Sequence, residues 1–192
     1  FKPAPEDFGI RFKRMDIEGS PEIRADIDHV VDISRGTTIE ENGIKIHTVE
    51  HALAACGGIG LDNVLIELTE KEPPVMDGSS IDFVEALLKS GIVKQDAPRN
   101  YLHIDEAVSY SDIERGVDIH IMPSDQFRIT FMIDYKYKSL GTQFTTMDQL
   151  EQNFAKEIAP ARTFCFLSEV ETLKQNGLIQ GGNLDNAVVI VD

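Results

Sequence analysis

The run 47–51, read as His-Thr-Val-Glu-His, is the part of the sequence best equipped for chemistry. A carboxylate beside an imidazole can support metal-assisted hydrolysis, because the imidazole binds a divalent ion and the carboxylate takes a proton from a water molecule on that ion. The run also fits the pattern H-x-x-E-H, in which two histidines four apart on one helix both bind zinc. Glu50 and His51, with or without His47, are therefore the candidate catalytic residues.

The position of the helix start decides between these two arrangements. We expect Thr48 to cap a helix that contains the apolar residues 52–56. His47 would then lie outside the helix and could not pair with His51 in the i, i+4 geometry. Glu50 and His51 would occupy the first turn, where the helix dipole favours an ionised carboxylate and a neutral imidazole.

The elements that must position these residues are indicated by periodicity. Alternating apolar residues predict a half-buried strand at Val64–Leu68, in addition to one at Gly9–Met15. A loop at 72–80 follows, in which Asp77-Gly78 predicts a turn and Ser79 or Ser80 a helix cap. The cap introduces a second helix near 80–90, which ends at Gly91 and is amphipathic through Phe83, Val84, Leu87 and Leu88.

The second half repeats the order strand, helix, strand. Its predicted elements are strands at Tyr101–Ser109, Val117–Ile121, Phe127–Tyr135 and Ala187–Val191, a helix at about 147–158, and a helix from a capping box at 168–171 to Gly177. With a polar boundary at 94–99, the sequence predicts an α+β fold of two related domains, 1–98 and 99–192, each packing helices on a sheet. A strand-helix-strand insert at about 164–192 would form either an ordinary subdomain core or an apolar channel.

Eight short blocks occur along the chain in a fixed order. They are T-V-E-H at 48–51, L-D-N at 61–63, P-V-M-D-G-S-S at 74–80, D-F-V at 82–84, I-D-Y at 133–135, L-G-T-Q at 140–143, A-R-T-F-C-F at 161–166 and G-G-N-L-D-N-A at 181–187. At these spacings the chain resembles the UDP-3-O-acyl-N-acetylglucosamine deacetylase family, zinc enzymes that commit bacteria to lipid A synthesis. The resemblance covers essentially all 192 residues.

The resemblance implies an amidohydrolase that removes acetate from UDP-3-O-acyl-N-acetylglucosamine with one Zn²⁺ ion. His51 would be a zinc ligand, and Glu50 would be the general base that activates the bound water. Thr163, matched onto A-R-T-F, would donate a hydrogen bond to the oxyanion that such chemistry forms. The active site would lie between the two domains.

Four further residues match family positions that touch substrate. Tyr135 would stack on the uracil ring, Phe164 and Val170 would contact the acyl chain or the sugar, and Leu184 would border the acyl passage. An aromatic or aliphatic residue at each of these positions could equally be a packing residue, and both interpretations remain open.

Composition limits the partners. The net charge of −15 argues against nucleic acid or an anionic membrane surface as the main partner, and no apolar run approaches the roughly 20 residues of a transmembrane helix. Cys56 and Cys165 each lie in an apolar segment, which predicts unpaired thiols in a reducing compartment and hence a cytoplasmic protein.

The resemblance also predicts what lies beyond both ends. The family carries a G-L-H-x-G turn before the segment that matches Phe1, and H-K-x-x-D and a later histidine after the segment that matches Asp192. Those downstream residues supply the other two zinc ligands and a catalytic imidazole, so we expect these 192 residues alone to be inactive. Relatives exist in which a fatty-acyl dehydratase domain is fused to the deacetylase, and the sequence leaves such a fusion open.

Two alternatives compete with the deacetylase. An H-x-x-E-H metallopeptidase would use both His47 and His51, and it requires His47 to lie inside the helix. A binding module without catalytic activity would result if the flanking ligands were truly absent, because a tight zinc site normally needs three protein ligands.

Overall fold

A computed structural model describes residues 1–135, 137–170 and 183–191. It contains helices and strands in mixed order, as the α+β prediction requires. The strands are β1 Lys2–Pro3, β2 Ile10–Arg14, β3 Glu22–Arg24, β4 Val30–Asp32, β5 Thr38–Glu41, β6 Ile44–Ile46, β7 Val64–Leu68, β8 Val108–Asp112, β9 Val117–Ile121, β10 Arg128–Asp134, β11 Thr142–Asp148, β12 Phe164–Phe166 and β13 Val188–Ile190. The helices are α1 Glu50–Gly58, α2 Ile81–Ser90 and α3 Leu150–Glu157, residues 167–170 are also helical, and a 3-10 turn lies at Ile27–His29.

The first half is built on a four-stranded sheet in the order β1-β7-β2-β3. Strands β2 and β7 run parallel at its centre, whereas β1 and β3 are antiparallel to their neighbours. Phe12 on β2 and Ile66 on β7 are buried on one face, as period-2 alternation predicts. A separate meander of β4, β5 and β6 lies between this sheet's β3 and helix α1 in the chain.

Helix α1 begins two residues later than its predicted cap. The N-cap residue is Val49, with helical dihedral angles and no side-chain capping bond. Thr48 adopts a φ of 55°, in the left-handed region, so the prediction that Thr48 caps the helix is wrong. The amide of Val49 donates to the carbonyl oxygen of Thr37 at 3.2 Å, so the residue before β5 fixes the backbone at the helix start.

Helix α2 starts where predicted, through a different capping interaction. Ser80 is the N-cap but makes no side-chain capping bond, and the Ser79 hydroxyl accepts the amide N–H of Ile81 at 3.1 Å. Asp77 in turn accepts the amide and the hydroxyl of Ser79, which makes the predicted turn. The helix ends at Gly91 with a φ of 82°, but Leu88 is half exposed and does not belong to the buried face.

Strands β8 to β11 form two antiparallel hairpins, β8 with β9 and β10 with β11. The predicted strand at Tyr101–Ser109 is wrong over residues 101–107, which have no strand partner among the described residues. Strand β11 was not predicted, because its threonine-rich sequence lacks apolar alternation. It is defined by seven paired positions with β10.

Helix α3 joins the core of the first half. It begins at Leu150, because the first residues of the predicted helix, Met147 and Asp148, belong to β11. Phe154 is buried in the same apolar cluster as residues of α1, α2 and the four-stranded sheet, and α1 packs against both α2 and α3. The division into domains 1–98 and 99–192 stays a prediction, since this cluster spans position 98.

The end of the chain contains a parallel pair, β12 with β13. The observed β13 is shorter than the predicted strand Ala187–Val191. Ser168 already lies within the helical residues 167–170, so it does not cap that helix, and Glu171 of the predicted capping box lies outside the described residues. Residues 171–182 of the predicted insert also lie outside them. None of the helices in the described part of the chain is long and apolar enough to cross a membrane.

Candidate active site

A cavity of about 560 Å³ brings together five of the predicted site residues. Glu50 and His51 come from the first turn of α1, Tyr135 follows β10, and Thr163 and Phe164 lie at the start of β12. The remaining residues of its lining are Arg35, Ala161, Arg162, Cys165, Phe166 and Glu169. Segments from both halves of the chain therefore form one concave surface.

Glu50 and His51 project into this cavity with their side chains partly exposed. The Glu50 Oε1 atom lies 3.9 Å from His51 Nε2, and Glu50 Oε2 accepts the amide N–H of Thr37 at 2.8 Å. The carboxylate occupies the first turn of α1, where the helix dipole stabilises negative charge. In the described part of the chain no hydrogen bond engages the His51 ring, which leaves its nitrogens available to a ligand.

Thr163 is held by its backbone while its side chain stays exposed. Its amide N–H donates to the carbonyl oxygen of Gly78 at 2.7 Å, and its own carbonyl accepts the amide of Val188 at 2.9 Å. Gly78 is required here, because it has a φ of 85° and an added Cβ would overlap the carbonyl of Asn186. The block P-V-M-D-G-S-S therefore packs directly against the strand that carries Thr163.

Arg162 strengthens the same contact. Its Nε donates to the carbonyl of Asp77 at 2.6 Å and its Nη2 to the carbonyl of Leu184 at 3.1 Å. The Ser79 hydrogen bonds, together with the nearby Arg162 charge, lower the pKa of Asp77 below its ordinary value. The anionic carboxylate thus stabilises the turn that binds residues 162 and 163.

Aromatic rings cluster at one side of the cavity. The Tyr135 ring is 5.8 Å from that of Phe164 and 5.5 Å from that of Phe166, both edge to face, and Tyr137 stacks on Phe166 at 4.0 Å. Such contacts are the packing role that the sequence left open for Tyr135. Phe164 keeps 39% of its surface exposed at the cavity, where it can touch a ligand.

Two arginines that the sequence did not single out also line the cavity. Arg35 pairs with Glu169 at 3.3 Å, and Arg162 lies beside Thr163. Glu50 and Glu169 line the same cavity, so the two arginines balance its two carboxylates in a chain of net charge −15. Arg162 stands in the A-R-T-F block and could have been noticed there, whereas no local pattern marks Arg35, and the capping box around Glu169 does not indicate a role in the cavity.

His47 lies away from this cavity. Its Nδ1 is 3.0 Å from the hydroxyl oxygen of Thr38, and its amide donates to the carbonyl of Lys71. It precedes the start of α1 by three residues, so it lies outside the helix, as predicted. The metallopeptidase alternative requires His47 inside that helix, and the structure contradicts this requirement.

Val170 and Leu184 are not among the cavity-lining residues. Val170 is half-buried, and Leu184 is 73% exposed. Their predicted contacts involve an apolar passage that would also include Leu173, Leu178 and Ile179, all of which lie outside the described residues. The substrate-binding roles of Val170 and Leu184 therefore stay predictions.

Among the described residues, one side chain of the cavity is suited to bind a zinc ion. His51 offers an imidazole nitrogen, a donor that Zn²⁺ prefers, in a concave site next to a carboxylate. Residues 1–135, 137–170 and 183–191 contain no group of three or more His, Cys, Asp or Glu side chains that could hold a metal. A complete zinc site would need ligands from outside this part of the protein.

The arrangement suits hydrolysis of a carbonyl compound. A carboxylate held at one oxygen, an available imidazole and an exposed hydroxyl surround a space large enough for a small polar group and part of its carrier. The carboxylate can take a proton, and the hydroxyl can donate a hydrogen bond to a developing oxyanion.

Comparison with known proteins gives one consistent family. The family model described as UDP-3-O-acyl N-acetylglycosamine deacetylase matches residues 1–192. The chain is 54% identical over its whole length to a protein of Chlorobaculum tepidum named bifunctional enzyme LpxC/FabZ, of which it covers 41%. It is 42% identical, again over its whole length, to a UDP-3-O-acyl-N-acetylglucosamine deacetylase of Acidithiobacillus ferrooxidans, of which it covers 63%. It is 40% identical over 99% of its length to a deacetylase of the same name from Bdellovibrio bacteriovorus, of which it covers 62%. The chain thus spans less than two thirds of the length of each of these relatives.

Proposed function

The chain belongs to the UDP-3-O-acyl N-acetylglycosamine deacetylase family, and on that premise we propose that it forms the Glu50 and His51 side of a zinc-dependent deacetylase. The substrate would be UDP-3-O-acyl-N-acetylglucosamine, and the products would be acetate and the free amine. The observation that carries the proposal is the meeting of Glu50, His51 and Thr163 at one cavity, although more than 100 residues separate the two segments.

His51 would hold the zinc ion through an imidazole nitrogen, together with ligands from outside the described residues. Bound zinc would polarise the acetyl carbonyl and lower the pKa of a water molecule. The neighbouring Glu50 carboxylate is suited to take the proton from that water, because Thr37 fixes one oxygen while the other lies beside His51. Thr163 would donate its hydroxyl hydrogen to the oxyanion formed from the acetyl oxygen.

Protonation of the leaving amine is the remaining step of the proposal. Among the lining residues that the structure describes, His51 is the one histidine, and the proposal uses it as a metal ligand. The resemblance implies that an imidazole beyond residue 192 would protonate the amine. This chain alone would be inactive on the same argument.

Substrate recognition would use the rest of the cavity. Arg162, together with Arg35 where it is not held by Glu169, would contact the nucleotide diphosphate, and the exposed edge of Phe164 is suited to an apolar part of the substrate. Tyr135 would contribute to the uracil site from within its aromatic cluster. We further propose that the reaction is the committed step of lipid A biosynthesis and takes place in the cytoplasm, where unpaired thiols such as Cys56 and Cys165 persist.

The names of several relatives suggest a second activity in the complete protein. Those from Chlorobaculum tepidum, Bacteroides thetaiotaomicron and Porphyromonas gingivalis are each called bifunctional enzyme LpxC/FabZ, and the chain covers 41% of each. We propose that the deacetylase is fused to a fatty-acyl dehydratase domain in this protein as well. The mass of the full-length gene product and a dehydratase assay on it would test the fusion.

The deacetylase proposal is tested by acetate release from UDP-3-O-acyl-N-acetylglucosamine with the full-length protein. We expect one acetate for each free amine produced, with turnover falling about 10²- to 10⁴-fold in Glu50→Gln, the usual contribution of a general base. Hydrolysis of peptides without acetate release would contradict the proposal, as would an unchanged turnover in Glu50→Gln.

A further inference from the structure

The loop between β4 and β5 contacts the Glu50 carboxylate directly. The amide N–H of Thr37 donates to Glu50 Oε2 at 2.8 Å, while Oε1 lies 3.9 Å from His51 Nε2. The loop therefore binds one carboxylate oxygen and leaves the other facing the imidazole. A glutamate side chain has three rotatable bonds, so an anchor of this kind restricts the positions that its carboxylate can take.

Gly36 lies against the same carboxylate. A Cβ at this position would be 3.1 Å from Glu50 Oε1, 3.6 Å from Glu50 Oε2 and 3.6 Å from the Thr48 hydroxyl oxygen. The φ of Gly36 is outside the left-handed region, so its backbone conformation is open to any residue. Glycine is needed at position 36 because the Glu50 carboxylate leaves little room for a side chain there.

We propose that Gly36 and Thr37 act together as a positioning cradle for the Glu50 carboxylate. The Thr37 amide fixes Oε2, and the missing side chain of Gly36 lets Oε1 take its place beside His51. The inference rests on the proposed role of Glu50 as the base, and it adds that this role depends on two residues of a loop 13 positions or more upstream. Neither residue would touch substrate, so both are positioning residues.

The first test compares two glycine-to-alanine variants of the full-length enzyme. In Gly36→Ala the new methyl group would push the flexible end of Glu50 by a few tenths of an ångström, which costs the fold little but misplaces the base. We expect kcat to fall about 10-fold, because displacements of about 1 Å can cost about 10²-fold. KM should stay within about twofold, since the displaced group acts in the chemical step. The melting temperature and zinc content should not change.

Gly57→Ala is the matched control. Gly57 lies in α1, the helix that carries Glu50, but a Cβ there would meet nothing within 4 Å. Its kcat and KM should equal those of the wild type. An unchanged kcat in Gly36→Ala, or a loss of kcat in Gly57→Ala equal to that in Gly36→Ala, would overturn the inference.

The second test separates positioning from a general structural effect. If Gly36 acts only through the carboxylate, Gly36→Ala should cause no further loss of kcat in a Glu50→Gln background. A further 10-fold loss there would show that Gly36 acts by another route and would overturn the inference. If Glu50→Gln alone keeps full turnover, the proposed function itself fails, so the two failures can be told apart.

The third test does not depend on activity or on metal. Amide hydrogen exchange at Thr37 should be slowed by its bond to Glu50, and Glu50→Ala should speed it up by at least several-fold. Gly57→Ala should leave the exchange rate of this amide unchanged. Equal rates in the wild type and Glu50→Ala would mean that the anchor does not exist in solution and would overturn the inference.

Discussion

At the scale of single residues, the site depends on which atoms remain available to a ligand. The Thr163 backbone is bound on both sides, to Gly78 and to Val188, while no hydrogen bond of its hydroxyl is present in the described part of the chain. A side chain presented by a fixed backbone is preorganised, and it loses little conformational entropy when it binds a transition state. The same logic applies to Glu50, one of whose oxygens is fixed by Thr37.

The hydroxyl of Thr163 can be tested by two substitutions of similar size. Thr163→Val keeps the β-branched shape but removes the hydrogen-bond donor, so we expect kcat to fall by about 10²-fold or more, the usual effect of losing one oxyanion donor. Thr163→Ser keeps the donor and should retain turnover within about 10-fold. Steady-state kinetics on the full-length protein, with circular dichroism as a control for folding, would measure both. Equal losses in the two variants would point to packing as the role of Thr163.

The two cysteines should differ in reactivity, because their environments differ. Cys56 is fully buried in α1, and burial raises the pKa of its thiol to about 12, so almost no thiolate exists at pH 8. Cys165 is half-buried and lines the cavity. We expect iodoacetamide to modify Cys165 in the native protein and Cys56 only after unfolding, as peptide mass spectrometry would show. Labelling of Cys56 at the native-state rate of Cys165 would contradict the buried position of α1.

At the scale of elements, α1 must carry Glu50 at one end and pack against α3 at the other. Phe154 of α3 lies directly over Gly58, where an added Cβ would overlap its ring, while Gly57 on the exposed side has open space. A glycine in a helix costs roughly 0.5–1 kcal/mol relative to alanine, so its presence at position 58 is explained by the close approach of the phenylalanine.

Neighbouring alanine substitutions should therefore have opposite effects on stability. We expect Gly58→Ala to lower the free energy of unfolding by about 1–3 kcal/mol, the usual cost of overpacking a core. Gly57→Ala should raise it by roughly 0.5–1 kcal/mol. Urea unfolding followed by circular dichroism would measure both changes. Stabilisation by both substitutions would mean that α3 does not pack on α1 as described.

Local patterns predicted the elements whose signals lie within a few neighbouring residues. The strand Val64–Leu68 and the helix Ile81–Ser90 follow from apolar periodicity, and His47 was correctly placed outside α1. The reason given for that placement was wrong, because Thr48 takes a left-handed φ and the N-cap residue Val49 is held by Thr37 from another segment. Contacts of this kind depend on tertiary structure, and no local pattern encodes them.

The same limit explains what was missed at the site. Glu50, His51 and Thr163 were predicted from a motif and from family resemblance, and the structure brings them to one cavity. Arg35 and Glu169 pair across 134 positions of sequence; Arg35 stands in no motif, and the capping box that contains Glu169 predicts a helix start and no contact with Arg35. Strand β11 was also missed, since its pairing with β10, and not its own composition, defines it.

At the scale of the whole molecule, the turn at Asp77 and Gly78 holds distant parts of the chain together. Its backbone carbonyls accept hydrogen bonds from Arg162 and Thr163, and its conformation depends on the Asp77 carboxylate through Ser79. Because folding lowers the pKa of Asp77, this carboxylate stabilises the protein above the ordinary aspartate pKa of about 3.9. That contribution is lost as the pH falls through the lower, folded-state pKa.

Asp77→Asn should reveal this contribution, because the amide keeps the shape of the turn but carries no charge. At pH 7 we expect the variant to be less stable than the wild type by about 1 kcal/mol, the usual scale of a hydrogen bond. The difference should shrink as the pH is lowered from about 4 toward 2, where Asp77 becomes neutral in the wild type as well. Urea unfolding at several pH values would measure it, and a difference independent of pH would contradict the account.

The central claim is that His51 binds the metal, that Glu50 acts as the base and that His47 does neither. It is tested most directly by measuring zinc content and acetate release on the same preparations of His51→Ala, Glu50→Ala and His47→Ala in the full-length protein. We expect His51→Ala to lose zinc and turnover, and Glu50→Ala to keep zinc while turnover falls by about 10²- to 10⁴-fold. His47→Ala should keep both, because its ring bonds to Thr38 away from the cavity. If His47→Ala loses zinc as completely as His51→Ala, or if Glu50→Ala retains full turnover, the account is contradicted.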